Sequence, residues 1–265
     1  MRRVIIVLVV LVGLFVAADF GAAALAESAV SRQMRQQVGL VDDPNVRING
    51  FPFLTQAISG HYGSVDVEAQ HIKVSQLQDL SVRAQLRDVD APLSMVLGSG
   101  PKTLKVGQAE GSVRIAAKDV ERILNRNGSL AIDDLRIDTV DLAGLKAAAK
   151  ESGDMSLTSI DPARAARLTG STTLPLLGKN DVSVIAQLAL EDGKARLVVR
   201  DARFGGKALP ASLQRSVSQL FAVTVDPGSL PLKVTPTELT AVDGTLQISG
   251  TASDLTLGGG STPAG

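Results

Sequence analysis

The chain has no cysteine and no tryptophan, and only one tyrosine, two histidines and six phenylalanines among 265 residues. The missing cysteine excludes disulfides, Cys-ligated zinc, thiol catalysis and a lipidated N-terminal cysteine. An excess of one charge is missing too. Twenty-seven Lys and Arg balance 27 Asp and Glu, which removes the electrostatic footprint of non-specific nucleic-acid binding, so no nucleic-acid partner is expected. With 45% apolar but 3% aromatic residues, the core must be built from Val, Leu, Ile and Ala. Such flat aliphatic surface suits strands and acyl chains alike.

Catalytic constellations are also lacking. There is no G-x-S-x-G elbow, no Walker loop and no G-x-G-x-x-G after a strand, and Gly98-Ser99-Gly100-Pro101 reads as a turn. His61 and His71, with Asp66 and Glu68 between them, are the one candidate metal set. On an extended strand odd and even positions face opposite sides, so the preferred reading is solvent-facing polar residues. The pairs Asp42-Asp43 and Asp133-Asp134 read as solvated turns, because adjacent strand residues point apart and do not make an acid/base pair. Asn127-Gly128-Ser129 matches a glycosylation sequon, a short pattern common by chance. No enzyme activity, metal or cofactor is expected.

What is present begins at the N-terminus. Arg2 and Arg3 precede fifteen uncharged residues, Val4 to Ala18, and Asp19 ends the run before a small-residue stretch closing in Ala24-Leu25-Ala26. A positive start, a short apolar core and that Ala-x-Ala fit a signal peptide of residues 1–26 cleaved before Glu27. Ala22, Leu25, Ala29, Val30, Met34 and Val38 equally fit one helix that leaves a membrane uncleaved and stops at Gly39. Either reading puts the body outside the cytoplasm, on the periplasmic face of the plasma membrane, because the basic residues stay inside.

From Asp42-Asp43-Pro44-Asn45 onward the pattern is short alternating strands broken by Gly, Asn, Asp and Pro. Ser64 to Val74 changes phase near Ala69 to His71, which predicts a bulge. Leu80, Val82, Ala84 and Leu86 alternate with polar partners, and Leu104 to Val106, Gly111 to Ile115 and Leu130 to Val140 read as further strands. Val182 to Leu190 and Lys194 to Asp201 flank Asp192-Gly193 as a hairpin. Leu230 to Val234 is a strand, and Glu238 to Val242 pairs with Thr245 to Ser249 through Asp243-Gly244. Helices are expected at Ala117 to Asn125, Leu142 to Glu151 and Pro210 to Phe221. The two halves echo each other weakly. Residues 27–255 read as a single body and 256–265 as a Gly/Ser/Pro-rich flexible tail. The class is α+β: a long N-terminal helix against a strongly curved antiparallel sheet, with a few short helices.

One segment stands out. Gly50-Phe51-Pro52-Phe53-Leu54-Thr55-Gln56 through Gly60-His61-Tyr62 holds three of the five aromatics left once residues 1–26 are set aside. Pro52 forces an extended entry, and Leu54, Ala57 and Ile58 then fit a short helix ended by Gly60. Its aromatics either anchor the core or form the lip of an apolar pocket at a membrane surface. Together with Ala17-Ala18-Asp19-Phe20-Gly21-Ala22-Ala23-Ala24 before it, Val65 and Val67 after it, and the closing Leu230-Pro231-Leu232 and Asp243-Gly244, this run resembles the LmeA family of actinobacterial cell-envelope phospholipid-binding proteins. The resemblance implies a fold related to tubular lipid-binding proteins, with a curved sheet wrapping a long helix around an apolar groove. It also implies a role in maturing mannose-bearing lipoglycans.

The reading that follows is a non-enzymatic phospholipid-binding protein of the cell envelope. Groove-wall candidates are Phe51, Phe53, Leu54 and Ile58, with the unbroken apolar run Leu93, Met95, Val96 and Leu97, for which a core strand is the plain alternative. Arg83 and Arg87 share a strand face and are the headgroup candidates. Phospholipid and the membrane surface are the expected partners. The rivals are a membrane-anchored scaffold for an envelope glycosyltransferase without bound lipid, and a lipid or glycan hydrolase with a dispersed site.

Overall fold

The structure is a computed structural model and describes residues 1–74, 77–92, 94, 103–127, 131–174, 178–191, 194–209, 224–225 and 235–257. The chain is mixed α+β, as its patterning predicts, but its strands divide into two antiparallel six-stranded sheets where one was expected. Two compact units are distinguished: the described residues within 1–71, 82–111 and 251–265, and those within 72–81 and 112–250.

The first unit begins with α1 (Arg2–Val38), a proline-free run, rich in Val and Ile up to Val16 and in Ala, Arg and Gln beyond it, that continues past Ala26 without a break. Gly39 ends it at φ 71°, its N–H bonded to Arg35 O at 2.9 Å, a left-handed cap that glycine adopts without steric cost. Strand β1 (Asn45–Asn49) lies against α1: the Ile48 N–H donates to Glu27 Oε1 at 2.8 Å, Ser31 Oγ donates to Pro44 O, and Arg35 pairs with Asp43. Next comes α2 (Phe53–Ser59), stopped by Gly60. Gly60 has φ 70°, and a Cβ there would sit 3.3 Å from Ala91 O, so both backbone and neighbour demand glycine.

The long strands β2 (His61–Val74), β3 (Leu77–Asp90) and β4 (Leu104–Ala116) follow. With β11 (Thr235–Val242) and β12 (Thr245–Leu257) they form a sheet ordered β1-β2-β3-β4-β12-β11. His71 at φ 53° marks the backbone irregularity expected near Ala69 to His71. The two separate strands expected over 104–115 are one continuous strand. The turn at Asp243-Gly244 joins the last pair as expected, but Thr256 and Leu257, assigned to the tail, belong to β12.

In the second unit, β5 (Ile132–Thr139), β6 (Ala165–Leu174), β7 (Gly178–Glu191), β8 (Lys194–Phe204), β9 (Lys207–Ala208) and β10 (Thr224–Val225) form the second sheet. Its order is β10-β8-β7-β6-β5, with β9 on β8. The β7–β8 hairpin pairs from Val182↔Phe204 to Glu191↔Lys194, with one register shift between Ile185 and Ala186, confirming that reading, although Asp192 and Gly193 lie outside the described residues. Asp133 and Asp134 are not in a turn. They sit at a bulge in β5, Asp134 at φ 56°, and the phase change lets Ile132, Leu135 and Ile137 all face the core.

Helices α3 (Ala117–Asn127) and α4 (Leu142–Ser152) fall where expected. Asp141 caps α4 by accepting from the Gly144 N–H at 2.7 Å. Val184, Ala186, Leu188 and Leu168 pack with Leu80, Leu124 and Ile137, while Ile185, on the other face of β7, joins Leu145, Ala149 and Leu157. The expected helix 210–221, the strand 230–234, the Gly98–Pro101 turn, Gly128 and Ser129 lie outside the described residues.

Candidate functional site

The site is built where α1 meets α2, within the first unit. Asp19 is the one buried residue of α1, 2% exposed, in a helix whose preceding apolar side chains are open. Its two carboxylate oxygens accept the backbone N–H groups of Phe53 and Leu54, both at 2.8 Å. These are first-turn donors of α2, which have no partner within that helix. Pro52, the residue before them, provides no side-chain cap. A carboxylate 34 residues earlier therefore does what Ser or Asp usually does at the N-cap itself.

Around this latch lies an apolar cluster of Phe53, Ala57, Tyr62, Val89, Ala91 and Val106. Ala22, Ala23, Ala26 and Val30 of α1 pack against it, as do the half-buried Ile48, Leu54, Val65, Leu86, Leu104 and Leu255. Phe53 and Tyr62 are in tilted contact, ring centroids 6.4 Å apart. The Tyr62 hydroxyl is buried and has no hydrogen-bond partner among the described residues. Leaving such a group unpaired costs about 1–3 kcal/mol.

Burial pushes the Tyr62 phenol above its ordinary value. A raised pKa favours the neutral folded form, so this contribution to stability is present below about pH 10, the ordinary tyrosine value. It is lost as pH rises from there through the folded-state value. Tyr62 is the sole tyrosine and there is no tryptophan, so the phenolate absorbance reports one group. Its midpoint is expected above that of the urea-unfolded chain; coincident midpoints would contradict burial of the hydroxyl.

The structure separates the candidates that sequence proximity had grouped. Phe53 is core and Leu54 half-buried beside it, whereas Phe51 is 57% exposed and Ile58 84% exposed. Phe51 stacks on Phe20 of α1, centroids 6.0 Å apart. Leu93, Met95, Val96 and Leu97 lie outside the described residues. Arg83 and Arg87 lie on β3, each already engaged: Arg83 Nη2 donates to Glu68 Oε1 at 3.0 Å and Arg87 Nη2 to Gln85 Oε1 at 2.9 Å.

The two histidines do not converge on a metal. His61 Nδ1 lies 2.8 Å from Asp90 and His71 Nδ1 2.8 Å from Asp42, while Asp66 accepts from Asn49 and Gln85. Among the described residues no three His, Asp or Glu gather as a ligand set. Asp42 and Asp43 are thus more than solvated turn residues, since Asp42 holds His71 and Asp43 holds Arg35. Sequence reasoning missed Asp19 and Tyr62. Asp19 was visible only as the carboxylate closing an apolar run, and its partners are 34 and 35 residues away.

Comparison with curated proteins and with solved structures found no match. A family model described as LmeA-like phospholipid-binding matches residues 17–251, a span that starts in α1 just before Asp19 and takes in the latch and its apolar cluster. The chain belongs to the LmeA-like phospholipid-binding family.

Proposed function

We propose that this protein binds phospholipid at the extracytoplasmic face of the plasma membrane, holds the acyl chains in an apolar groove without chemistry of its own, and thereby supports maturation of mannose-bearing lipoglycans. The observation that carries the reading is the family match over residues 17–251. Physical support comes from the first unit, where Leu54, Val65, Leu86 and Leu104 keep part of their aliphatic surface uncovered beside a packed cluster. Each methylene moved from water onto such surface is worth about 0.8 kcal/mol, so roughly a dozen offset much of the cost of lifting a lipid from its bilayer.

Residues 27–255 act together as the lipid-binding body in this reading. Of the two headgroup candidates Arg87 is better placed, because a phosphate at Arg83 must compete with the Glu68 carboxylate. An envelope glycosyltransferase is a further candidate partner.

The test is native mass spectrometry with organic extraction, on the full chain purified in detergent and offered phosphatidylglycerol or phosphatidylcholine vesicles. Stoichiometric phospholipid is expected. Leu54→Ser with Leu86→Ser should lower occupancy by about tenfold or more, the equivalent of losing one buried leucine, while circular dichroism stays unchanged. A clean apo mass with no uptake from either vesicle would sink the reading and favour the lipid-free scaffold.

A further inference from the structure

The latch bears on the fate of the N-terminal segment and on what it touches. Cleavage after Ala26 would remove Asp19, leaving the Phe53 and Leu54 N–H groups without their acceptors. It would also take Ala22, Ala23 and Ala26 away from the apolar cluster and Phe20 away from Phe51. What remains would expose a core that is otherwise covered. A dispensable leader makes no such contacts with the domain it leaves.

The other half of α1 shows the opposite pattern. Val4 to Val12, Leu14 and Phe15 are exposed, with none of the described residues packed over them, and the helix is long and apolar enough to cross a membrane. The uncharged run Val4 to Ala18 rises about 22 Å at 1.5 Å per residue, roughly 8 Å short of a hydrocarbon core about 30 Å thick. Immediately beyond the run Phe20, 62% exposed, stacks on the exposed Phe51, and α2, tied to α1 through Asp19, carries a third exposed apolar side chain, Ile58. Asp19 fixes α2 at that level. Aromatic side chains are favoured at the membrane–water boundary, and apolar faces there sink about 5–10 Å, the depth that the run lacks.

We infer that α1 is retained in the mature protein as its membrane anchor, and that the Asp19 latch holds Phe20, Phe51 and Ile58 as a platform embedded in the surface of the same bilayer. The body is then not free to diffuse: its α2 edge rests on lipid at a fixed height. The occupant of the platform is the lipid interface, because the platform continues the apolar face of α1 that the described residues leave exposed and that is long and apolar enough to enter a membrane. This inference is independent of whether a lipid is also carried inside the protein.

The experiment uses the full chain, expressed in a bacterial host with an active signal peptidase and recovered from washed membranes. Intact mass and N-terminal sequencing should show a chain starting at residue 1, and hydrogen exchange should show protected Phe53 and Leu54 amides. Asp19→Leu, which keeps the helix apolar, should speed exchange of those two amides by about tenfold or more while the chain stays in the membrane. Phe51→Trp and Ile58→Trp, each the sole tryptophan, should be quenched by bromine-labelled phosphatidylcholine when reconstituted. A mature chain starting at Glu27 overturns the retained anchor, and Phe53 and Leu54 amides still protected in it would overturn the role of the Asp19 carboxylate as well. A retained chain whose two tryptophans emit as in water, without bromolipid quenching, overturns the platform.

Discussion

Asp119→Ala is expected to destabilise the second unit by about 2–3 kcal/mol, chiefly the cost of taking the acceptor away from two backbone donors. Asp119 sits in the first turn of α3 with no exposed surface. Its carboxylate accepts the Gln78 N–H at 3.1 and 3.0 Å and the Asp79 N–H at 2.8 Å, where β3 begins, and it pairs with Arg122 one turn along its own helix. Alanine would take the acceptor away from two part-buried backbone donors and leave the half-exposed guanidinium without this partner. No rearrangement of a methyl group replaces those bonds. Asp119→Asn keeps one acceptor oxygen and should recover part of the loss. Urea unfolding of the full chain in detergent, followed by far-ultraviolet circular dichroism, measures both; a change below about 1 kcal/mol for alanine would mean that β3 and α3 do not depend on this carboxylate.

Phe53→Ala should cost about 3–5 kcal/mol, the range for truncating a buried ring to a methyl. The ring lies among Ala57, Tyr62, Val89, Ala91 and Val106, and two of those neighbours are alanines too small to close over the void. Phe51→Ala, two residues earlier, should cost no more than about 0.5 kcal/mol in detergent, because its ring is largely exposed. The contrast matters for the lipid question. A charged residue at Phe53 would abolish binding by unfolding the first unit, so lipid experiments belong on Leu54, Leu86 and Phe51 instead. Tyrosine emission in the Phe53→Ala protein should move toward that of the unfolded chain. Equal costs at the two phenylalanines would refute the division into a core ring and a surface ring.

Much of the architecture was legible because local patterns carry it. The long helix needed only a proline-free apolar run with Gly39 at its end. The β7–β8 hairpin needed alternating residues around Asp192-Gly193, and α3 and α4 needed short amphipathic or alanine-rich stretches between turn signals. The family, too, was legible in the Gly50-to-Tyr62 segment. Composition excluded thiol chemistry and non-specific nucleic-acid binding before any fold was considered.

Tertiary structure alone decided the rest. Phe51 and Phe53 are nearly identical in sequence context, and only packing made one a surface ring and the other a core ring. Asp133 and Asp134 read as solvated turn residues although Leu130 to Val140 read as a strand; pairing with β6 holds them, exposed, in a bulged strand. His61 and His71 read as solvent-facing polar residues, and only the fold gave each its own carboxylate, Asp90 and Asp42. Asp19 is the clearest case. Its value lies in two backbone donors contributed by residues 34 and 35 positions away, and a hydrogen bond of that range leaves no periodicity, spacing or composition in the chain from which it can be read.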